Sequence, residues 1–492
     1  MNASRQPHAV VIGSGFGGLA AAIRLGARGY RVTVLERLDR PGGRAYVHKQ
    51  DGFSFDAGPT LVTAPFLFEE LWTLCGRKME DDVKLVPLDP FYRIVFDDGS
   101  HFDCSGDPAR MRAEVARLSP GDVEGYEAFY RASEARYSFG FEVLGNQPFS
   151  NFTDMMKALP KLAALRSDRS VWKAACQHVK DERLRILLSF HPLFIGGNPL
   201  SVTSVYILIS YLEREFGVHF AMGGTGALVQ GLAKLIEGHG NRIRTNVTVD
   251  EITVTNGRAT GVRLENGELI PADIVVSNAD IGWTYSQLLR NTKRKRWTDR
   301  KVDALDYSMG VFVWYFGTNR RYDDLAHHTV LMGPRYEGLL KDIFKNKVLS
   351  EDFSLYLHRP TATDPSLAPE GCDTFYALSP VPHLDADVDW TEMAEPYRQA
   401  IEARLEERLM PGLSQSIVSS RVTHPLEFAE RLLSWRGAAF GPEPLLTQSA
   451  WFRTHNKSED VDGLYFVGAG THPGAGMPGV LASAKILDQV LV

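Results

Sequence analysis

Between Ala9 and Glu36 the chain reads AVVIGSGFGGLAAAIRLGARGYRVTVLE: a β-branched run, a glycine turn, a small-residue helix pattern, and a second β-branched run ending in a carboxylate. That order builds a βαβ unit around a dinucleotide. Gly13 suits the tight turn out of the first strand, Gly15 lets backbone approach a pyrophosphate, and Gly18 lets the helix lie close on the sheet. The phosphates would rest on the N–H groups of the helix start, where the positive dipole end favours an anion. Glu36 ends the second strand, where a carboxylate can accept both hydroxyls of an adenosine ribose. A glycine-rich turn that only packs a helix leaves that acid without a task.

The stretch directly after this unit, Arg37 to Val62, carries two further small-residue turns. Gly42 and Gly43 allow backbone close to a cofactor, and Arg44 can neutralise a diphosphate that the helix dipole only partly offsets. FDAGPT, Phe55 to Thr60, brings Gly58, Pro59 and Thr60 into a second turn. Near the other end, GLYFVGAGTHPGAGMPGVLASAK repeats the logic with a buried strand, a small-residue turn and a helix beginning near Pro478-Gly479-Val480. Proline is tolerated there because the N–H it lacks has no helical partner. Gly468 and Gly470 are followed by Pro473, so this is not a second nucleotide fingerprint.

With 492 residues, 44% of them hydrophobic, the chain can fill two or three cores. Its net charge of −6 offers no basic face to a nucleic acid. Cys75, Cys104, Cys176 and Cys372 are far apart, which suggests neither a zinc knuckle nor a disulfide framework and fits a reducing cytoplasm. The early apolar run is broken by glycines and followed by Arg24 and Arg28, so it reads as the first βα unit rather than a leader. No apolar run reaches the length of a spanning helix. A chain of this kind meets a membrane only by lying on it.

The middle of the chain changes texture. FYRIVFDDGSHFDC alternates around Asp98-Gly99 and predicts a hairpin. From Asp154 to Val179, Met155, Met156, Leu159, Leu162 and Leu165 are interleaved with Lys157, Lys161, Arg166 and Arg169. This basic amphipathic pattern suits a headgroup layer as well as it suits a core helix with a solvated face. ILLSFHPLFIGGNPL and VTSVYILISYL can line a greasy tunnel or form a buried helical pair. After GGTGALVQGLAKLIEGHG, a helix feeds a strand ending near Val249, then a meander turning at Asn256-Gly257, then a buried strand running to Asp280. From Trp283 to about Glu443, aromatic and β-branched runs predict a second sheet. His327-His328 has no acid at metal-ligand spacing, so a strand-end solvent or packing role is expected of it and no metal.

Taken together, VIGSGFGGLAAAIRL, PGGRAYV, FDAGPT, GGTGALVQGL, SNAD, HHTVLMGPRY, DFSLYLHRPTATDPSLAPEG and VGAGTHPGAGMPGV resemble the bacterial and fungal type of phytoene desaturase, a family of carotenoid-forming flavoenzymes. The resemblance runs from end to end and is most specific over His327 to His383 and Gly468 to Lys485. It implies an α/β fold like that of amine oxidases: a discontinuous Rossmann-like FAD-binding domain (1–75, 223–290, 444–492), a mixed β-sheet substrate domain (76–137, 291–443) and a helical, membrane-associating lid (138–222). FAD would be held by Gly13, Gly15, Gly17, Gly18, Glu36 and Arg37, by Gly42, Gly43 and Arg44, and by Gly58, Pro59 and Thr60. Val249, Asp280, Gly470, Met477, Pro478, Gly479 and Val480 complete the set.

The implied substrate is phytoene and its partly desaturated products, on the way to neurosporene or lycopene, at a cytoplasmic site touching the membrane. A hydrocarbon offers no heteroatom to grip, so its affinity must come from buried apolar area, at about 25 cal/mol per Å² before ordering costs. Lacking a second dinucleotide fingerprint, the reduced flavin is expected to pass electrons to oxygen or a membrane quinone. Asp154 is the candidate catalytic acid or base, because it opens an otherwise apolar segment; a first-turn acid that stabilises the helix dipole is the competing reading. A carotenoid isomerase, a saturase or a later-pathway desaturase shares the cofactor framework. So does a non-catalytic prenyl-binding carrier, against which the intact C-terminal glycine turn speaks.

Overall fold

The computed structural model describes residues 6–491. At its centre is a five-stranded parallel sheet in the order Leu464–Phe466, Ile274–Ser277, His8–Ile12, Arg31–Leu35, Arg242–Arg244. Its strands come from three widely separated stretches of chain. All five residues of His8–Ile12 are buried, as the unbroken apolar run requires of a strand covered on both faces. On one face lie the helices Phe16–Ala27, Thr225–Gly238 and Met477–Val490, which interlock through Leu19, Leu228, Leu232, Leu481 and Ala484. A three-stranded antiparallel meander, Val249–Thr255, Arg258–Leu264 and Leu269–Pro271, shares a core with the other face.

The strand expected to end near Val249 is in fact two. Arg242–Arg244 pairs in the parallel sheet, and Val249 opens the meander. Asn246, in the left-handed region at φ 55°, breaks the run between them.

A seven-stranded sheet holds the aromatic runs, in the order Ile417–Thr423, Gly310–Thr318, Asp373–Val381, Leu355–His358, His328–Leu331, Tyr92–Val95, His101–Cys104. All neighbours are antiparallel except His328–Leu331 beside Tyr92–Val95. The two-residue period sorts its side chains. Phe312, Trp314 and Phe316 pack under the Trp390–Arg408 helix through Ile401 and Leu405, while Val311, Val313 and Tyr315 face the opposite way. Helices fill the stretch from Val123 to Phe216, among them Phe152–Ala164 and Leu208–Phe216. Among the described residues, no helix is long and apolar enough to cross a membrane.

Candidate active site

Between the parallel sheet, the seven-stranded sheet and the helical stretch lies a cavity of about 540 Å³. Two helices begin on its wall. The Phe16–Ala27 helix starts after Gly15 with no side-chain cap and no acid in its first turn. The Met477–Val490 helix starts after Gly476 in the same condition, with Pro478 near its first position. Free N–H groups and two positive dipole ends therefore open into one chamber, an arrangement that favours a ligand carrying negative charge.

The two glycine turns touch. A Cβ at Gly17 would lie 2.9 Å from Gly468 Cα and 3.0 Å from Gly468 N, and one at Gly15 would lie 3.1 Å from Asn278 Nδ2. Asn278 is the wedge between the turns, and its amide also stands 2.5 Å from a Cβ built on Gly468. Gly13, at φ 86°, makes the tight turn, its N–H donating to Leu35 O at 2.8 Å.

Glu36 is buried at the end of the second strand. Its Oε2 accepts from Ser14 N at 2.9 Å and Ser14 Oγ at 2.6 Å, and its Oε1 from Leu38 N at 2.9 Å. These bonds pin the carboxylate on the cavity wall. Arg44 is half-buried near Asp280. Burial pushes the Asp280 carboxyl up while the guanidinium pulls it back. Arg44 Nη2 donates to Ser434 Oγ at 3.1 Å, whereas its Nε is buried without a partner. The indole N–H of Trp283, also on this wall, has none either. Unpaired buried donors, uncapped helix starts and a pinned acid are what an adenosine diphosphate moiety satisfies, and FAD carries one.

Of the residues expected to hold the cofactor, Gly13, Gly15, Gly17, Glu36, Arg37, Gly42, Gly43 and Arg44 line the cavity, as do Gly58, Pro59, Thr60, Val249, Asp280, Met477, Pro478, Gly479 and Val480. Gly18 and Gly470 do not. A Cβ at Gly18 would overlap the Gly13 carbonyl, so this glycine sets the helix against the strand, as its spacing predicts. Gly470 packs on Ile281, where a Cβ would lie 2.9 Å away. Arg37 spends its guanidinium on the carbonyls of Glu430 and Arg431 at the end of the Pro425–Leu432 helix. Asp280 caps the Ile281–Trp283 turn through Gly282 N. Thr60 bonds the phenols of Tyr356 and Tyr376, at 3.0 and 2.9 Å.

The Asp154 expectation is corrected. Its carboxylate reaches back to Asn151 N at 3.3 Å in a capping box and lies near Lys157, and it is absent from the cavity wall. An acid three residues after an Asn is itself the signature of that cap.

The rest of the wall is mainly apolar, with Phe190, Leu193, Phe194, Leu208, Leu212 and Met332 among its residues. Behind Tyr356, His327 and His328 gather a third imidazole, His358, within 4.8 Å. His327 Nε2 meets His358 Nε2 at 3.2 Å, and His328 Nδ1 meets the Tyr356 hydroxyl at 2.7 Å. The His328 and His358 rings stack at 18°. Burial drives all three well below the usual imidazole range.

The profile of the flavin containing amine oxidoreductase family matches residues 16–486. A neurosporene-forming phytoene desaturase of Cereibacter sphaeroides is 56% identical over 99% of this chain and 95% of its own. A lycopene-forming one of Pseudescherichia vulneris is 49% identical over 98% of each. Among solved structures, putrescine oxidase bound to putrescine aligns at TM-score 0.64 and 16% identity, covering 99% of both chains. An oxidoreductase of Methanosarcina mazei aligns at TM-score 0.63 and 19% identity, covering 98% of this chain and all of its own. These two likenesses show the fold. The chain belongs to the flavin containing amine oxidoreductase family, and within it to the bacterial-type phytoene desaturases.

Proposed function

We propose that this protein introduces double bonds into phytoene with bound FAD, toward neurosporene or lycopene, the products named for its relatives at 56% and 49% identity. The observation that carries the reading is one cavity with two chemistries: uncapped helix starts and a pinned acid at one end, a hydrocarbon wall at the other. FAD supplies a two-electron acceptor for a C–H bond flanked by double bonds. The chain's own work is positional. Glu36 and Ser14 orient the adenosine end and Arg44 meets the diphosphate. The Met477–Val490 helix start offers N–H groups where negative charge builds on reduction. Phe190, Leu193, Leu208 and Leu212 hold the polyene and keep water out. We divide the chain into the cofactor, substrate and helical parts given above.

Membrane contact belongs to this reading. Phe152, Met156 and Leu159 are exposed on the Phe152–Ala164 helix, and Phe152 packs its ring edge-on to Trp451 at 5.8 Å, beside exposed Phe452. Lys157 and Lys161 stand on the same helix, whose Met155 and Leu162 line the cavity. This patch supports an entry route for an insoluble substrate from the bilayer. Oxygen or a membrane quinone is proposed as the final electron acceptor.

Expression in a colourless host that accumulates phytoene tests the assignment. New pigment is expected, with an absorption spectrum that separates a three-step from a four-step product. A host that supplies phytoene and FAD yet stays colourless would overturn it.

A further inference from the structure

Three acids stand on the cavity wall: Glu36, Asp280 and Glu213. The first two belong to the cofactor end. Glu213 lies among hydrocarbon side chains, on the Leu208–Phe216 helix next to Leu212, and is 3% exposed. Its Oε2 accepts from the Tyr92 hydroxyl at 2.7 Å and lies 3.3 Å from His191 Nε2. Tyr92 and His191 bond each other at 2.9 Å. Among the described residues, neither a Lys nor an Arg side chain pairs with Glu213. A carboxylate buried without a cation is costly, and a wall built only to bind an alkene has no use for one.

Glu213 also lines a second, small cavity of about 40 Å³, shared with Tyr92, His191, Ser105 and Arg214. That space is roomy enough for a water and has polar partners for it. The carboxylate thus stands in a partition, with the large, mainly apolar chamber on one side and, on the other, a small cavity where Ser105, His191 and Arg214 can meet a water. His191 Nδ1, buried without a partner, adds an unfilled hydrogen-bond position beside it.

We infer that Glu213 is the catalytic base of the desaturation and that the small cavity behind it is the proton's exit. The inference rests on the dehydrogenation proposed above. In each desaturation one C–H bond gives its hydrogen and electron pair to the bound, oxidised flavin. The C–H bond on the neighbouring carbon then breaks, its electron pair becomes the new π bond, and its proton forms an O–H bond on Glu213. The flavin is reduced by two electrons and the hydrocarbon oxidised by two. Tyr92 and His191 hold the carboxylate in the partition, and the proton leaves by way of a water in the small cavity.

The test uses holoenzyme with phytoene in liposomes, without oxygen, reading the bleaching of bound FAD in a single turnover. Bleaching in the wild type supports dehydrogenation; failure to bleach sinks that reading and this inference with it. With the wild type active, Glu213→Gln is expected to keep its FAD content, melting temperature and phytoene binding while bleaching at least about 100-fold more slowly. Glu213→Asp, which restores a carboxylate, should recover to within about tenfold. Independently, the wild type should show a deuterium-sensitive carboxylic acid band in its infrared difference spectrum on turnover. This reading survives even if Glu213→Gln does not fold. Wild-type bleaching rates in Glu213→Gln, equal impairment of Gln and Asp variants with lost melting temperature, or no such band would each overturn the inference.

Discussion

Replacing Gly17 with alanine tests the meeting of the two glycine turns, on which the cofactor site depends. The new Cβ would sit 2.9 Å from Gly468 Cα, 3.0 Å from Gly468 N and 2.6 Å from Asn278 Oδ1. Carbon atoms at rest lie about 3.5–4.0 Å apart, so the turns must separate by roughly 0.6 Å or more. Overpacking of this kind costs about 1–3 kcal/mol. A ligand held by both turns feels that strain directly, and its dissociation constant should rise about 5- to 150-fold. Quenching of FAD fluorescence on titration with apoprotein reads the effect. Gly468→Ala crowds the same contact from the other side, at 2.5 Å from Asn278 Oδ1, so the double variant should fall short of additivity. The control is Gly238→Ala at the end of the Thr225–Gly238 helix, where a Cβ meets nothing within 4 Å. It should leave FAD binding unchanged. Wild-type affinity in Gly17→Ala, or strictly additive effects, would mean that the turns do not touch.

Arg44→Met keeps the buried stem and removes the guanidinium; losing one charge-assisted contact of about 1.5–3 kcal/mol should weaken FAD roughly ten- to hundredfold by calorimetry. Burial raises the Glu443 carboxyl to about 7, against the bonds it accepts from Asn198 N and Ser201 Oγ. The folded chain therefore binds this proton where the unfolded one has lost it. Stability from this group falls as pH rises from about 4.5 to about 7, by at most about 3 kcal/mol, and then levels off. Glu443→Gln should flatten that slope in denaturant melts. Serine at Phe152, Met156 and Leu159 together should reduce cosedimentation with anionic liposomes several-fold and leave FAD content unchanged. Equal sedimentation would refute the membrane contact proposed for this helix.

What could be read in the chain was local. The first βαβ unit is spelled out by period, glycine spacing and a terminal acid within one short stretch, and the seven-stranded sheet by aromatic alternation. Within SNAD nothing local singles out Asn278, because its amide matters only where two distant turns converge. Glu213, Tyr92 and His191 come from a helix, a strand and a 3₁₀ turn far apart in sequence, and no spacing rule joins them. His358 joins the adjacent histidines across a strand pairing, His328 opposite His358, that register alone reveals. Asp154 shows the opposite failure. Its local signal, Asn151 three residues earlier, was present and pointed to a cap, while the apolar neighbours drew attention to chemistry.

The order of the parallel sheet bears on how the chain folds. The strand Ile274–Ser277 sits between His8–Ile12 and Leu464–Phe466, two segments far apart along the chain. Pairings so remote along the chain close late and slowly. Until Leu464–Phe466 docks, the glycine turn and the Met477–Val490 helix that follow it are missing from the cavity wall, and apolar side chains stay open to solvent. Such exposed surface in a partly folded chain invites association with other chains.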